Sequence, residues 1–493
     1  MDDRDVILKR LEKLETELVA LRKENEQLRT DNHQLRSDND QLRIANQQLA
    51  LDNVLLRDEI ARLKKNSSNS SKPPSSDIVS PPKLPLPRGK KRKRGGQRGH
   101  PRHQRPPFDV TQIDQVIYHE LPPADVRRRR LKRLKDCFIV QQVELVDKPY
   151  LITEHRAARY LTPEGRIIVA PMPPQVRRGG LLGPKLTGVV GWMKASAHIS
   201  YTRIGEFFAD VLGLPISRGE LARRCTGMLS AALAPVYEEL VEALRHEPVL
   251  GSDETGHAHA GKNFWTWCLR APKFTVFHID PSRGSAVLTD LLGQDYAGIL
   301  TVDYFSANRA FADRSDARAQ YCWAHLLREV KFLCELGRAG LTRWAEGLLA
   351  IARKMFRAWH RRTGADPPRW RRRMERHKRA FLDKMRRAPC HSEARTLARR
   401  FDRKGAPAYF RFLDAAGVEP TNNATERAIR QPVLDRRVTQ GTRSPRGIAW
   451  CQRAWTAAAT CAQQGRSTFR FLCDALRAHL TNAPAPSLLP INP

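Results

Sequence analysis

From Ile7 onward an aliphatic residue recurs at every seventh position: Ile7, Leu14, Leu21, Leu28, Leu35, Leu42, Leu49, Leu56 and Leu63, with no Pro or Gly between them. So narrow a stripe buries little on a lone helix and suits the seam between two helices. The companion seam positions read Leu11, Leu18, Asn25, Asn32, Asn39, Asn46, Asn53 and Ile60, so five successive layers carry an amide where an apolar side chain would be more stable. An Asn facing its twin in a parallel dimer is hydrogen-bonded, whereas a slipped or antiparallel pairing strands it against leucine. The flanking charges agree: Glu17 with Arg22, Glu24 with Arg29, Asp31 with Arg36, Asp38 with Arg43 and Asp52 with Arg57 have the spacing and opposite signs that join parallel helices in register. The pattern predicts a parallel homodimeric coiled coil over 1–64, with Leu21, Leu28, Asn32, Leu35, Asn39 and Leu42 at its seam. A higher oligomer or a partner zipper would use the same stripe.

The 493 residues exceed one domain, and 86 Lys and Arg against 52 Asp and Glu leave a net charge of +34. Hydrophobic residues still make up 41% of the chain, so the charge rides on a protein that can fold. A polyanionic partner follows, nucleic acid ahead of an acidic membrane surface. No apolar run reaches a membrane-spanning length, and the start MDDRDVILKR lacks the basic and apolar parts of a signal peptide, so no membrane association and a cytoplasmic location are expected. Nine cysteines without a C-x-x-C pair suit free thiols in a reducing compartment.

After the zipper, NSSNSSKPPSSD and a Pro-rich basic stretch over 65–109 cannot pack a core and read as a disordered linker. Lys90, Lys91, Arg92, Lys93, Arg94 and Arg98 form an acid-free cationic run that can lie along phosphates. Residues 110–180 contain the β-like runs CFIVQQVELV and YLITEHRAARYLT beside the basic VRRRRLKRLK, and predict a small mixed domain. Over 181–246 the pattern turns helical. Within it a GLP break is followed by Ser217 as a helix cap with Glu220 three residues on. That layout suits a helix-turn-helix, with Arg218, Arg223 and Arg224 on or near the reading helix; plain helical packing would use it too.

The segment beginning at Glu247, EPVLGSDETGHAHAGKNFWTWCLRAPKFTVFHID, reads as three strands joined by short turns, the first ending at Asp253. A helix-like SRGSAVLTDLL follows, then GILTVDYFSANRA, a buried strand ending at Asp303. Three strands, a helix and a fourth strand, with Asp on the first and fourth, match the topology of a ribonuclease-H-like domain. Adjacent parallel strands would then set the two carboxylates side by side, a pocket for hard cations. PTNNATERAIRQPVL offers a third carboxylate, Glu426, on a helix begun near Asn422, with Arg427 and Arg430 on its flanks. Three such carboxylates can hold two Mg²⁺ or Mn²⁺ ions for in-line phosphoryl displacement. Side chains alternate along a strand, so the metal is assigned to Asp253 and not to its neighbour Glu254. Cys322 and His325 form a C-x-x-H pair on the next helix; two ligands are an incomplete zinc site, so packing or substrate positioning is expected of them. His257 and His259 read as loop histidines.

Taken together, the zipper, the NSSNSSKPPSSD segment with GKKRKRGGQRGH, SDETG, VDYFSAN, CWAHLLRE and NNATERAIR resemble the transposases of the insertion sequence 66 family, members of the DDE transposase superfamily. The likeness covers most of the chain. It implies Asp253, Asp303 and Glu426 as the catalytic triad, a helical insertion between the last two, DNA strand cleavage and strand transfer at terminal repeats and target DNA, and two accessory proteins of the same element. It also implies a four-cysteine zinc module after the basic stretch. Here that region holds only Cys137, with Tyr160 near the second pair, which argues against zinc there.

The expected architecture is therefore multidomain α+β: coiled coil (1–64), linker (65–109), mixed module (110–180), helical DNA-binding region (181–246), ribonuclease-H-like core (247–315), helical insertion (316–415), the core's Glu helix (416–445), and C-terminal helices with a tail (446–493). Asn422 is expected to orient that helix or the substrate strand. The competing readings are a ribonuclease-H-like nuclease without strand transfer and a catalytically inactive DNA-binding regulator.

Overall fold

The computed structural model describes residues 3–63, 106–132, 134, 138–146, 148–363, 366–403 and 405–489. The cationic run with Lys90, Lys91, Arg92, Lys93, Arg94 and Arg98 lies outside the described residues, as does Cys137. The fold is mixed α+β and divides into two compact units: Lys83–Gly183 with Ser200–Arg223, and Met1–Pro82 with Pro184–Ile199 and Arg224–Pro493.

Asp3–Leu63 is one helix, α1. Its leucine stripe faces solvent in the single chain, with Leu21, Leu28, Leu35 and Leu42 all more than half exposed. The last turns of α1 rest on their own unit. Asp58 is buried and accepts from the Arg338 guanidinium, Ala61 is buried, and Arg62 Nε lies 3.7 Å from Glu393 Oε1.

In the smaller unit the β-like runs form less strand than expected. Residues 138–146 contain none, and only Arg159–Leu161 (β1) pairs, antiparallel, with Ile167–Val169 (β2). Phe138, Ile139 and Val140 are largely exposed. A β-branched run becomes strand when a neighbour and a buried face reward it, and local propensity alone does not suffice. The arginine run of VRRRRLKRLK starts in a short helix, Pro123–Arg128.

Pro184–Ala195 (α2) belongs to the larger unit; Tyr201–Asp210 (α3) and Arg218–Arg223 (α4) belong to the smaller. Ile204, Phe208 and Leu221 bury the contact between α3 and α4, Gly213 takes a positive φ at the break, and Ser217 Oγ accepts the Glu220 N–H at 3.2 Å as the capping pattern requires. Arg218 and Arg223 are exposed. Arg224, expected beside them, is buried: it opens a π-helical segment, Arg224–Leu229, whose wider turn leaves its guanidinium inside, 3.7 Å from Met228 Sδ. That removes Arg224 from any exposed reading face.

After Ala234–Leu244 (α5), the larger unit builds a five-stranded sheet: Val249–His259 (β3), Lys262–Arg270 (β4), Thr275–Asp280 (β5), Ile299–Val302 (β6) and Arg318–Tyr321 (β7), in the order β5-β4-β3-β6-β7. The first three strands are antiparallel neighbours, and β3, β6 and β7 run parallel. Ala260 and Gly261, both at positive φ, make the two-residue turn from β3 to β4. His257 and His259 are thus strand residues, because β3 runs on past Asp253 to pair with all of β4. Ala286–Leu292 (α6) crosses to β6, whose four residues are all buried, and Ser306–Arg314 (α7) leads to β7, a strand inside the stretch expected to be helical. RAQY, four residues with one Ala and one Tyr, is too short a pattern to announce it.

Trp323–Glu335 (α8), Ala339–His360 (α9) and Pro367–Arg386 (α10) then form the helical insertion, joined by an aromatic core in which Trp323 meets Phe356, Phe381, Phe410 and Phe412. Asn423–Thr439 (α11), Pro445–Gln463 (α12) and Thr468–Thr481 (α13) close the unit. Helix α12 covers the free edge of β5. Gln452 Oε1, Thr456 Oγ1 and Thr460 Oγ1 accept the N–H groups of Ile279, Phe277 and Thr275 at 2.7, 3.0 and 3.1 Å. One step of four residues along a helix, about 6 Å, nearly matches two residues along a strand, about 7 Å, so side chains on one helical face reach alternate edge groups. An edge that would otherwise invite another strand is closed.

Candidate active site

The parallel register of β3 and β6 sets Val249, Leu250 and Gly251 opposite Ile299, Leu300 and Thr301; continued by two residues, it sets Asp303 across from Asp253. The side-by-side placement comes from that register and not from two strand ends: β3 continues past Asp253 to His259, contrary to the expected end at Asp253, and Asp303 follows the last residue of β6. Helix α11 brings Glu426 to the same place. Its first turn lies against the strand residues just before Asp253: a Cβ on Gly251 would stand 2.0 Å from Thr425 Oγ1 and 3.0 Å from Asn422 Oδ1, so only glycine permits the approach. The buried Asn422 donates from Nδ2 to the Ser252 carbonyl at 2.8 Å, and its backbone N–H points at Cys322 Sγ at 3.2 Å. Further along, Asp435 accepts from Lys194 Nζ of α2 at 2.6 Å, both side chains being almost fully buried.

These groups act on one another electrostatically. Burial pushes the Asp253 carboxyl well above the usual carboxylate range, and Glu254, Asp303 and Glu426 each push it further. Asp303 is also raised by burial, against the N–H of Phe305 and the Asn308 amide, which donate to Oδ1 at 3.1 and 3.0 Å. Glu254 sits at about 7, raised by burial and then by Asp303, with Arg283 opposing. Arg283 Nη2 and Nε reach Glu254 Oε1 at 2.6 and 3.1 Å, and the guanidinium lies between the rings of Trp265 and Phe305, 4.4 and 4.0 Å from their centroids. This Arg283–Glu254 arrangement was missed in the sequence; an Arg 29 positions from its partner gives no local signal.

Glu426 has its own surroundings. Arg328 Nη2 stands 3.5 Å from Oε2 and His325 Nδ1 3.6 Å from Oε1. Cys322, the N-cap of α8, and His325 one turn on bring their ligand atoms with a Glu426 oxygen to within 4.8 Å of one another. Burial, then Arg328, lowers His325 to about 4, and burial raises the Cys322 thiol against backbone N–H groups of Asn422, His325 and Ala324. The sequence placed Cys322 and His325 together; the third member came from a helix a hundred residues away. Arg427 and Arg430 are exposed on α11. His257 and His259 both hold Thr442 Oγ1, at 3.0 and 2.9 Å, and Thr442 exchanges backbone hydrogen bonds with Ala258 and Ala260, so the segment just after α11 is tied to β3.

Hard oxygen donors whose charge burial disfavours, Asp253 and Asp303, with Glu426 adding to the strain on Asp253, fit divalent cations of the Mg²⁺ class: the repulsion is what such an ion relieves. Among the described residues no helix is long and apolar enough to cross a membrane. A family of unknown function (DUF6444) matches residues 12–106, and no curated protein matches the chain. The model of the Transposase IS66 family matches residues 179–449, more than half the chain and the whole of this carboxylate site, and the chain belongs to that family of DNA-transposing enzymes.

Proposed function

We propose that this transposase binds the terminal repeats of its insertion element and carries out metal-dependent strand cleavage and strand transfer through Asp253, Asp303 and Glu426, on a ribonuclease-H-like core. The observation that carries the reading is the joint action of Asp303 and Glu426 on the Asp253 carboxyl, at the C-terminal side of the paired strands of a sheet whose first strand lies between its second and its fourth. Asp253, Asp303 and Glu426 would hold two Mg²⁺ or Mn²⁺ ions, which when bound supply activation of the attacking oxygen and charge neutralisation at the leaving oxygen. The chain's own residues do the positioning. Gly251 and Asn422 seat the helix that carries Glu426, Asn308 orients Asp303, and exposed Arg427 and Arg430 hold phosphates beside the site.

Arg218 and Arg223 contribute to end binding from the helical region, and the run from Lys90 to Arg98 adds salt-dependent affinity. The leucine–asparagine seam of α1 pairs two copies as a parallel coiled coil, and two accessory proteins of the element take part. The roles expected of segments 1–64, 65–109, 110–180, 181–246, 247–315, 316–415, 416–445 and 446–493 complete the proposal, except that β7, inside 316–415, belongs to the core sheet.

The test is cleavage and joining of a labelled duplex carrying the element's own end, in Mg²⁺ or Mn²⁺ against EDTA, with the accessory proteins present. Asp253→Asn, Asp303→Asn and Glu426→Gln are each expected to bind the duplex and to form no 3′-hydroxyl end. Cleavage surviving in one variant removes that carboxylate from the site.

A further inference from the structure

We propose that Cys322 Sγ, His325 Nδ1 and Glu426 Oε1 form a binding site for a thiophilic divalent ion of the zinc class, distinct in its chemistry from the all-carboxylate pocket alongside. His325 Nδ1 and Glu426 Oε1 are buried, neither has a hydrogen-bond partner, and they face each other across 3.6 Å, beyond hydrogen-bond reach. A tetrahedral ion with bonds of about 2.1 Å to nitrogen and oxygen holds two such ligands about 3.4 Å apart. Cys322 Sγ completes three ligand atoms within 4.8 Å of one another.

The protein holds all three in place without the ion. Cys322 is fixed as the N-cap of α8, His325 follows on the first turn, and Arg328, 3.5 Å from Oε2, leaves Oε1 turned toward the imidazole. The Asn422 N–H directed at Sγ, at the start of α11, favours the thiolate that a metal requires. A thiolate, an imidazole and one carboxylate select zinc or cobalt over magnesium, whose preferred donors are oxygen. Three protein ligands also leave a fourth position for water or substrate, and Glu426 retains access to solvent. Because Glu426 also belongs to the proposed triad, an ion bound here would compete for its carboxylate. The site thus offers a means by which zinc-class ions would oppose the magnesium-dependent reaction.

The inference stands apart from the proposed chemistry, since its readout needs no DNA. Full-length protein stripped with EDTA and dialysed is titrated with Co²⁺, whose coordination by sulfur gives a thiolate-to-cobalt charge-transfer band. Wild type is expected to develop the band together with tetrahedral visible absorption, to lose both to Zn²⁺ and to keep both in excess Mg²⁺. Cys322→Ser is expected to lack the band, and His325→Ala and Glu426→Gln to bind Co²⁺ more weakly. Circular dichroism checks that each variant is folded, and should Cys322→Ser fail to fold, His325→Ala carries the comparison. Absence of the band from wild type, its persistence in folded Cys322→Ser, or unchanged Co²⁺ affinity in His325→Ala overturns the site.

Discussion

His257 supplies a pH dependence whose sign and size can be worked out. Its imidazole is buried between Thr442 and Thr266, 3.0 Å from one hydroxyl and 3.4 Å from the other, and burial, then Arg436 and His259, lowers its pKa from 6.5 to about 4. The folded state therefore holds it neutral while the unfolded chain protonates it near 6.5. Its contribution to stability is present above that value and is lost as pH falls toward 4. A gap of roughly 2.5 units, at about 1.4 kcal/mol each, amounts to about 3 kcal/mol, of which about 2 kcal/mol is already gone at pH 5. Asp253, Glu254 and Asp303 act in the opposite sense: their raised pKa values add stability as pH falls, so the wild-type profile alone is a sum. The variant His257→Gln removes this one contribution and keeps the rest, including those of the carboxylates and of His325, which is likewise lowered to about 4. Melting in EDTA at pH 7.5 and pH 5 should show wild type losing more than the variant by about 2 kcal/mol, several degrees in Tm. Parallel pH profiles for the two proteins would refute the reasoning, because the carboxylates are common to both and cancel in the comparison.

Asp253→Asn is expected to melt higher than wild type in EDTA, since it removes the charge that burial and three acidic neighbours disfavour, and to lose the stabilisation that Mn²⁺ gives wild type; thermal melts with and without the ion check both. Gly251→Ala forces Thr425 and the start of α11 away from β3, at about 1 to 3 kcal/mol of stability, and is expected to depress strand cleavage while leaving end binding intact; calorimetry and the cleavage assay read the two effects. Thr456→Val with Thr460→Val leaves the Phe277 and Thr275 N–H groups without acceptors at the β5 edge, about 1 to 3 kcal/mol each, and should promote aggregation measurable by light scattering. Asn32→Leu with Asn39→Leu in the zipper should raise its melting temperature and broaden the distribution of oligomers seen by sedimentation.

What was legible in the sequence was whatever local pattern encodes. A seven-residue repeat marks a long helix because its period is written in adjacent turns, and α1 runs from Asp3 to Leu63. Strands β3 to β6 were readable from their apolar runs and turn residues, and a parallel pairing of β3 with β6 is enough to bring Asp253 and Asp303 together. The failures have the opposite character. Residues 138–146 have strand composition and no strand, their apolar side chains being largely exposed; β7 is a strand with the unremarkable sequence RAQY, because β6 pairs with one of its edges. Arg224 looked like its exposed neighbours until a π turn buried it.

The site divides along the same line. Each carboxylate sits in a short motif that can be read by itself, but the residues that set their protonation and position do not. Arg283 reaches Glu254 from a loop, Asn422 reaches Ser252 from a helix start, and Lys194 reaches Asp435 from another helix, each across a separation that only the fold closes. Glycine 251 makes the point most sharply. In sequence it is one small residue before SDETG; in the fold it is the absent side chain that lets the helix bearing Glu426 approach the strand bearing Asp253. A substitution there would leave every charged residue of the site in the sequence and still push the helix of Glu426 off the strand of Asp253, so the presence of the carboxylates and their closeness are independent properties of this chain.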